Sequence, residues 1–86
     1  MAQMTMYTTS WCGFCRRLKS QLDREGIGYE EIDIERTPGA AETVMRVNGG
    51  NRTVPTVVYA DGSAATNPSF AEVTSALAKA EAASGA

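Results

Sequence analysis

The sequence predicts an α/β fold in the order βαβαββα, a four-stranded mixed sheet flanked by three helices, in one domain spanning residues 1–86. Three observations carry this. Short β-branched runs alternate apolar and polar residues, and the segments between them repeat apolar residues at helical spacing. A strand–helix–strand succession opens the chain, which calls for a parallel pair with a helical crossover. An Asp-Gly pair between two short extended runs marks a hairpin near the end. Helices on either side of the hairpin must then cover both faces of the sheet.

The segment "QMTMYT" sets Met4 and Met6 against polar neighbours and reads as the first strand. In "RRLKSQLDREG", Leu18 and Leu22 share one helix face, and Gly26 suits a left-handed stop with Ile27 folding back on the last turn. "IGYEEIDIE" is the second strand, with Ile32 and Ile34 on one face and Glu31 and Asp33 on the other. "TPGAAETVMRVNGG" reads as a helix capped by Thr37 and Pro38 and ended by Gly49, with an apolar stripe at Ala41, Val44, Met45 and Val47. "TVPTVVYADGSAAT" is the hairpin, with Asp61–Gly62 as its tight turn. "NPSFAEVTSALAKAEA" closes the chain as a helix with Asn67 as cap, Pro68 in the first turn, and Phe70, Val73 and Leu77 inward; the final "AASGA" is expected to fray.

Length and composition exclude several classes of function. Eighty-six residues allow one core, and 43% hydrophobic residues argue against disorder. Eight basic against ten acidic residues leave no cationic surface for nucleic acid or an anionic membrane. "MAQMTMYTTSW" lacks the basic and apolar stretches of a signal peptide, and no run reaches the roughly 18 apolar residues of a membrane span. The expected location is the cytoplasm, where lasting structural disulfides are uncommon.

Both cysteines fall in "TTSWCGFCRRL". A Cys12–Cys15 bridge closes a very short loop and removes little unfolded-state entropy, so a stabilising staple is a poor reading. Zinc wants four ligands, usually Cys and His; two cysteines and no histidine would require a second chain. Reactive thiols remain. An ordinary thiol is only a few per cent ionised at neutral pH, and a cysteine at a helix start faces free amides and the positive end of the dipole. Cys12 is therefore expected as the exposed attacker and Cys15, one turn deeper, as the buried partner. Arg16 and Arg17 oppose the dipole and favour a thiolate, although arginines on a helix surface are ordinarily just solvated. Pro55, in "TVPT", cannot donate in a sheet; an X-Pro before a strand is normally trans, but beside a CxxC it suits a cis turn that leaves the Val54 backbone free for a ligand.

Taken together, "YTTSWCGFC", "TVPT" and the hairpin leading into a helix resemble the thioredoxin superfamily over essentially the whole chain, in its glutaredoxin branch. Within that branch, "YTTSWCGFC", "VNGGNRTVPTV" and "DGSAATNPS" are most similar to the mycoredoxins, which use mycothiol in place of glutathione. The resemblance implies a thioredoxin-like fold of glutaredoxin size and reduction of mixed disulfides between proteins and a low-molecular-weight thiol. It makes Cys12 the nucleophile and Cys15 the resolving thiol, and sets Val54, beside a cis Pro55, against the substrate thiol. Trp11, Gly13 and Phe14 form a rim around Cys12; Arg16, Thr66 and Asn67 join the thiol-binding set, the last two toward a sugar. It implies no bound cofactor or metal, mycothiol as co-substrate, an NADPH-dependent disulfide reductase upstream, and a monomer. Glutaredoxins often carry Cys-Pro-Tyr-Cys, a lysine three residues before the first cysteine, and an acidic pair at the last helix start. Here these are Cys-Gly-Phe-Cys, Thr9 and "NPS", departures that fit a thiol other than glutathione. Two other readings share the motif: a dithiol donor reduced by thioredoxin reductase, for example to ribonucleotide reductase, which usually carries a "WSGFRP"-like segment absent here, and a dimeric iron–sulfur carrier.

Overall fold

The structure is a computed structural model that describes residues 4–84, with side chains to residue 79. The elements are β1 (Met4–Thr8), α1 (Gly13–Arg24), β2 (Glu30–Asp33), α2 (Ala40–Val47), β3 (Thr56–Tyr59), β4 (Ala64–Thr66) and α3 (Phe70–Ser84). The sheet order is β2-β1-β3-β4, with β1 parallel to β2 and antiparallel to β3, and β3 antiparallel to β4. This is the expected α/β architecture.

Alternation along the central strands builds the core. Met4 and Met6 pair with Tyr59 and Val57 in register, so all four share one face. Leu18 and Leu22 of α1 and Val73 and Leu77 of α3 close over them as a single buried cluster. Leu22 is fully buried there, and Leu22→Ala costs about 2–5 kcal/mol by the usual cavity term. The opposite face carries Thr56, whose hydroxyl accepts from Asn48 at the end of α2. One helix therefore covers that side and two cover the other.

Gly26 (φ 69) ends α1 as expected: its N–H reaches the Asp23 carbonyl, and the Ile27 N–H reaches Leu22 at 3.0 Å. Several boundaries differ from the sequence reading. Thr37 and Pro38 do not cap α2. Pro38–Gly39 makes a turn closed by Ala40 N–H to Thr37 O at 3.1 Å, and Gly39 (φ 85) becomes the N-cap, because Pro-Gly favours a turn with its glycine left-handed. Val47 leaves the apolar stripe and is exposed; Ala40 and Val44 form the buried face instead. Ile34 lies past the end of β2, tied by its N–H to Thr8 O. The hairpin turn is a three-residue loop rather than a two-residue Asp61–Gly62 turn: the Tyr59 N–H bonds Ser63 O, and Gly62 (φ 92) supplies the left-handed position.

Asn67 does not cap α3. Ser69 does: its hydroxyl accepts the Glu72 N–H at 3.1 Å, and the Glu72 carboxylate accepts the Ser69 N–H at 3.0 Å. Asn67 is itself left-handed (φ 48), its N–H bound to Pro55 O at 2.7 Å. α3 continues to Ser84, through the start of the segment expected to fray; residue 3 and residues 85–86, the other ends of those readings, lie outside the described residues.

Candidate active site

β1 ends at Thr8, at the carboxyl edge of the sheet, where crevices of α/β folds form. The chain turns at Thr9, whose carbonyl accepts the Cys12 N–H, and enters α1 with Cys12 as N-cap in an extended conformation (φ −82, ψ 110). The Cys12 sulfur accepts the Cys15 N–H at 3.1 Å, as a serine or aspartate oxygen would at this position. A free helix amide and the positive end of the dipole thus both face the sulfur, an arrangement that favours negative charge there.

The other wall comes from the loop before β3. The Val54–Pro55 peptide is cis, and the Val54 carbonyl lies 3.8 Å from the Cys12 sulfur. Packing against this loop changes one expectation: Cys12 is only 4% exposed, rather than openly exposed. Access comes from the surface around it. Trp11 and Phe14 are each 67% exposed on either side, and a Cβ built on Gly13 would meet nothing within 4 Å.

Cys15 is fully buried beneath this edge. Burial, then its hydrogen bond with Cys12, pushes its thiol up to about 12. Below β1, Thr8 donates to Glu31 at 2.8 Å and Lys19 pairs with the same carboxylate oxygen at 2.8 Å. Burial pushes Glu31 up, but these two bonds outweigh it and hold the carboxyl below its usual range.

Two clefts open beside this turn. One, of about 490 Å³, is lined by Thr9, Trp11, Glu35, Arg52 and Val54 among others. The second, of about 360 Å³, is lined by Phe14, Arg17, Asn67, Ser69 and Glu72 among others. Trp11 and Val54 thus face one cleft, and Phe14 and Asn67 the other. Arg16 is exposed and lines neither; its neighbour Arg17 lines the second. The Thr66 hydroxyl donates to the Asn48 side-chain carbonyl.

Asn48 and Glu35 went unrecognised in the sequence. Asn48 caps the end of α2; its amide donates to the Thr56 hydroxyl at 2.8 Å and Thr53 O at 3.4 Å, and its backbone carbonyl accepts from Asn51 at 2.9 Å. It clasps the loop that delivers Val54. Glu35, just past β2, accepts the Trp11 indole N–H. The signal was available: parallel β1 and β2 end on the same edge, so residues just beyond them become neighbours.

Two thiols three residues apart at a helix start, one at the sheet edge and one buried beneath it, on a thioredoxin-like fold fit one class: a thiol–disulfide oxidoreductase. Comparison narrows it, since residues 4–63 match the glutaredoxin family model and the chain belongs to the glutaredoxin family. It is 60% identical over 78 residues to a glutaredoxin-like protein of Mycobacterium tuberculosis, covering 91% of this chain and 93% of that one. It is 50% identical over 82 residues to mycoredoxin 1 of Corynebacterium glutamicum, covering 95% and 98%. Among solved structures, the glutaredoxin of Archaeoglobus fulgidus superposes with a TM-score of 0.72 at 30% identity, covering 87% of this chain and 85% of that one. The family uses a small thiol as co-substrate and acts on protein disulfides. Among the described residues no helix is long and apolar enough to cross a membrane.

Proposed function

We propose that the protein reduces mixed disulfides between proteins and mycothiol by a monothiol route through Cys12. The observation that carries this reading is the Cys12 sulfur at the α1 N-terminus, held by the Cys15 N–H at 3.1 Å opposite the Val54 carbonyl. Likeness to the corynebacterial mycoredoxin supports mycothiol, as do Thr9 and "NPS" where a glutathione enzyme commonly has lysine and acidic residues.

The Cys12 thiolate attacks the small-thiol sulfur of the mixed disulfide. That S–S bond breaks, the target protein leaves as a thiolate and takes a proton, and Cys12 carries the small thiol. A second small-thiol thiolate attacks that adduct, releasing the symmetrical small-thiol disulfide and restoring Cys12. An NADPH-dependent reductase then reduces that disulfide. Cys15 enters only when it attacks the adduct instead, giving a Cys12–Cys15 disulfide; a thiol held near 12 is rarely ionised to do so.

Val54, outside the β3 ladder, pairs its backbone with the substrate thiol beside Pro55, and Trp11, Gly13 and Phe14 form the rim. Asn67 lines the cleft on the Phe14 side, next to the substrate thiol's path; Thr66, tied to Asn48, supports that edge from behind. The protein acts as a cytoplasmic monomer. The test is turnover of one peptide mixed disulfide made in turn with mycothiol, bacillithiol and glutathione. Mycothiol is expected to give the highest kcat/KM, and a higher value with either other thiol defeats the assignment.

A further inference from the structure

Glu35 and Arg52 have no part in the chemistry above, yet both line the cleft shared by Trp11 and Val54. The Trp11 indole N–H lies 3.2 and 3.3 Å from the two Glu35 carboxylate oxygens, which fixes that charge beside the residue preceding Cys12. Ion pairs within 4.0 Å among the described residues are Lys19–Glu31 and Arg36–Asp33, so Glu35 and Arg52 do not neutralise each other by direct contact. Thr9, lining the same cleft, keeps a buried hydroxyl with no protein partner, a polar group of the kind that a ligand or water satisfies.

We infer that Glu35 is a specificity-determining residue: anchored by Trp11, it disfavours small thiols that bring a carboxylate into this cleft and favours those whose end group is uncharged and hydroxylated. This rests on the reading that the substrate thiol lies along Val54. A carboxylate entering the cleft is attracted by Arg52 and repelled by Glu35. Arg52 sits on a long exposed side chain that can follow a ligand outward, whereas the Glu35 carboxylate is tied to the indole. Hydroxyl groups escape the conflict, because they can donate to Glu35 and accept from Arg52. Glutathione carries a carboxylate at each end, whereas a sugar-bearing thiol presents hydroxyls.

The experiment measures kcat/KM for one peptide disulfide made with glutathione or with each of its two monoethyl esters, using the natural protein and Glu35→Gln. Glutamine keeps an oxygen for the Trp11 N–H and removes only the charge. In the natural protein one ester is expected to exceed the free acid about threefold, the size of a solvent-screened charge interaction, and the advantage shrinks in high salt. In Glu35→Gln the advantage disappears. Each acid-to-ester ratio is taken within one protein, so a general loss of turnover cancels. Equal ratios in the two proteins for both esters overturn the role of Glu35. No turnover of any mixed disulfide by the natural protein would instead defeat the functional reading beneath it.

Discussion

Cys12 and Cys15 stand three residues apart at one helix start, and as isolated side chains they have the same chemistry. The fold separates them. Cys12 lies at the carboxyl edge of the sheet, where its sulfur receives a helix amide, meets the Val54 carbonyl and is flanked by exposed Trp11 and Phe14. Cys15 points inward, fully buried, with its thiol pushed up to about 12 by desolvation and by its bond with Cys12. One turn of helix is enough to carry a thiol from the working edge into the interior. The motif supplies two thiols; the sheet edge and the Val54 loop give them different surroundings.

The widest gap between the two regions is expected in intrinsic reactivity. Burial disfavours the charged form, so the Cys15 thiolate share at neutral pH is about a thousandfold below that of a thiol at its ordinary value of 9.0. In Cys12→Ser protein, alkylation of Cys15 by iodoacetamide should climb about tenfold per pH unit from pH 7 to 10. A plateau below pH 9 would show Cys15 to be far less isolated than its burial implies.

The working edge depends on a clasp that the interior does not need. Asn48→Ala removes the side-chain bonds to Thr53, Thr56 and Thr66 around the Val54 loop. At about 1 kcal/mol for such a bond, KM for the mixed disulfide should rise five- to tenfold, by more than kcat falls. A fall confined to kcat would move the role of Asn48 from substrate placement to chemistry.

The smallest effect probes the underside. Lys19 and Thr8 hold Glu31 ionised below the usual carboxylate range. A lowered carboxyl contributes stability above its unfolded value, near 4.5, which is lost as pH falls through the folded value. Glu31→Gln should flatten the acid limb of an unfolding curve below about pH 4.5. Because the side chain is more than a third exposed, the loss at neutral pH should stay under about 1 kcal/mol after screening. An unchanged acid limb would mean that the network contributes no pH-dependent stability.

Periodic patterns made the architecture legible. Met4, Met6, Leu18, Leu22, Val73 and Leu77 lie in the core where alternation and helical spacing put them. Local punctuation is less legible, because neighbouring residues compete for one role. Pro38 and Asn67 each have a cap preference, but Gly39 takes the left-handed turn before α2, and Ser69 with Glu72 forms a reciprocal capping box before α3. At the site, Cys12, Cys15, Val54 and Pro55 carried their own signals in spacing and residue type. Asn48 did not, since it acts through a partner distant in sequence, Thr66; the signal for Glu35 lay only in the shared edge of parallel β1 and β2, which sets it beside Trp11.

The central claim is that Cys12 alone carries the exchange and Cys15 is a reserve. Its most direct test is steady-state turnover of one mycothiol mixed disulfide by Cys12→Ser and Cys15→Ser side by side, with mycothiol as reductant. Cys12→Ser should lose all measurable turnover, while Cys15→Ser keeps activity within about threefold of the natural protein, since the chemistry needs only one thiolate. Comparable loss in both variants would contradict the monothiol account.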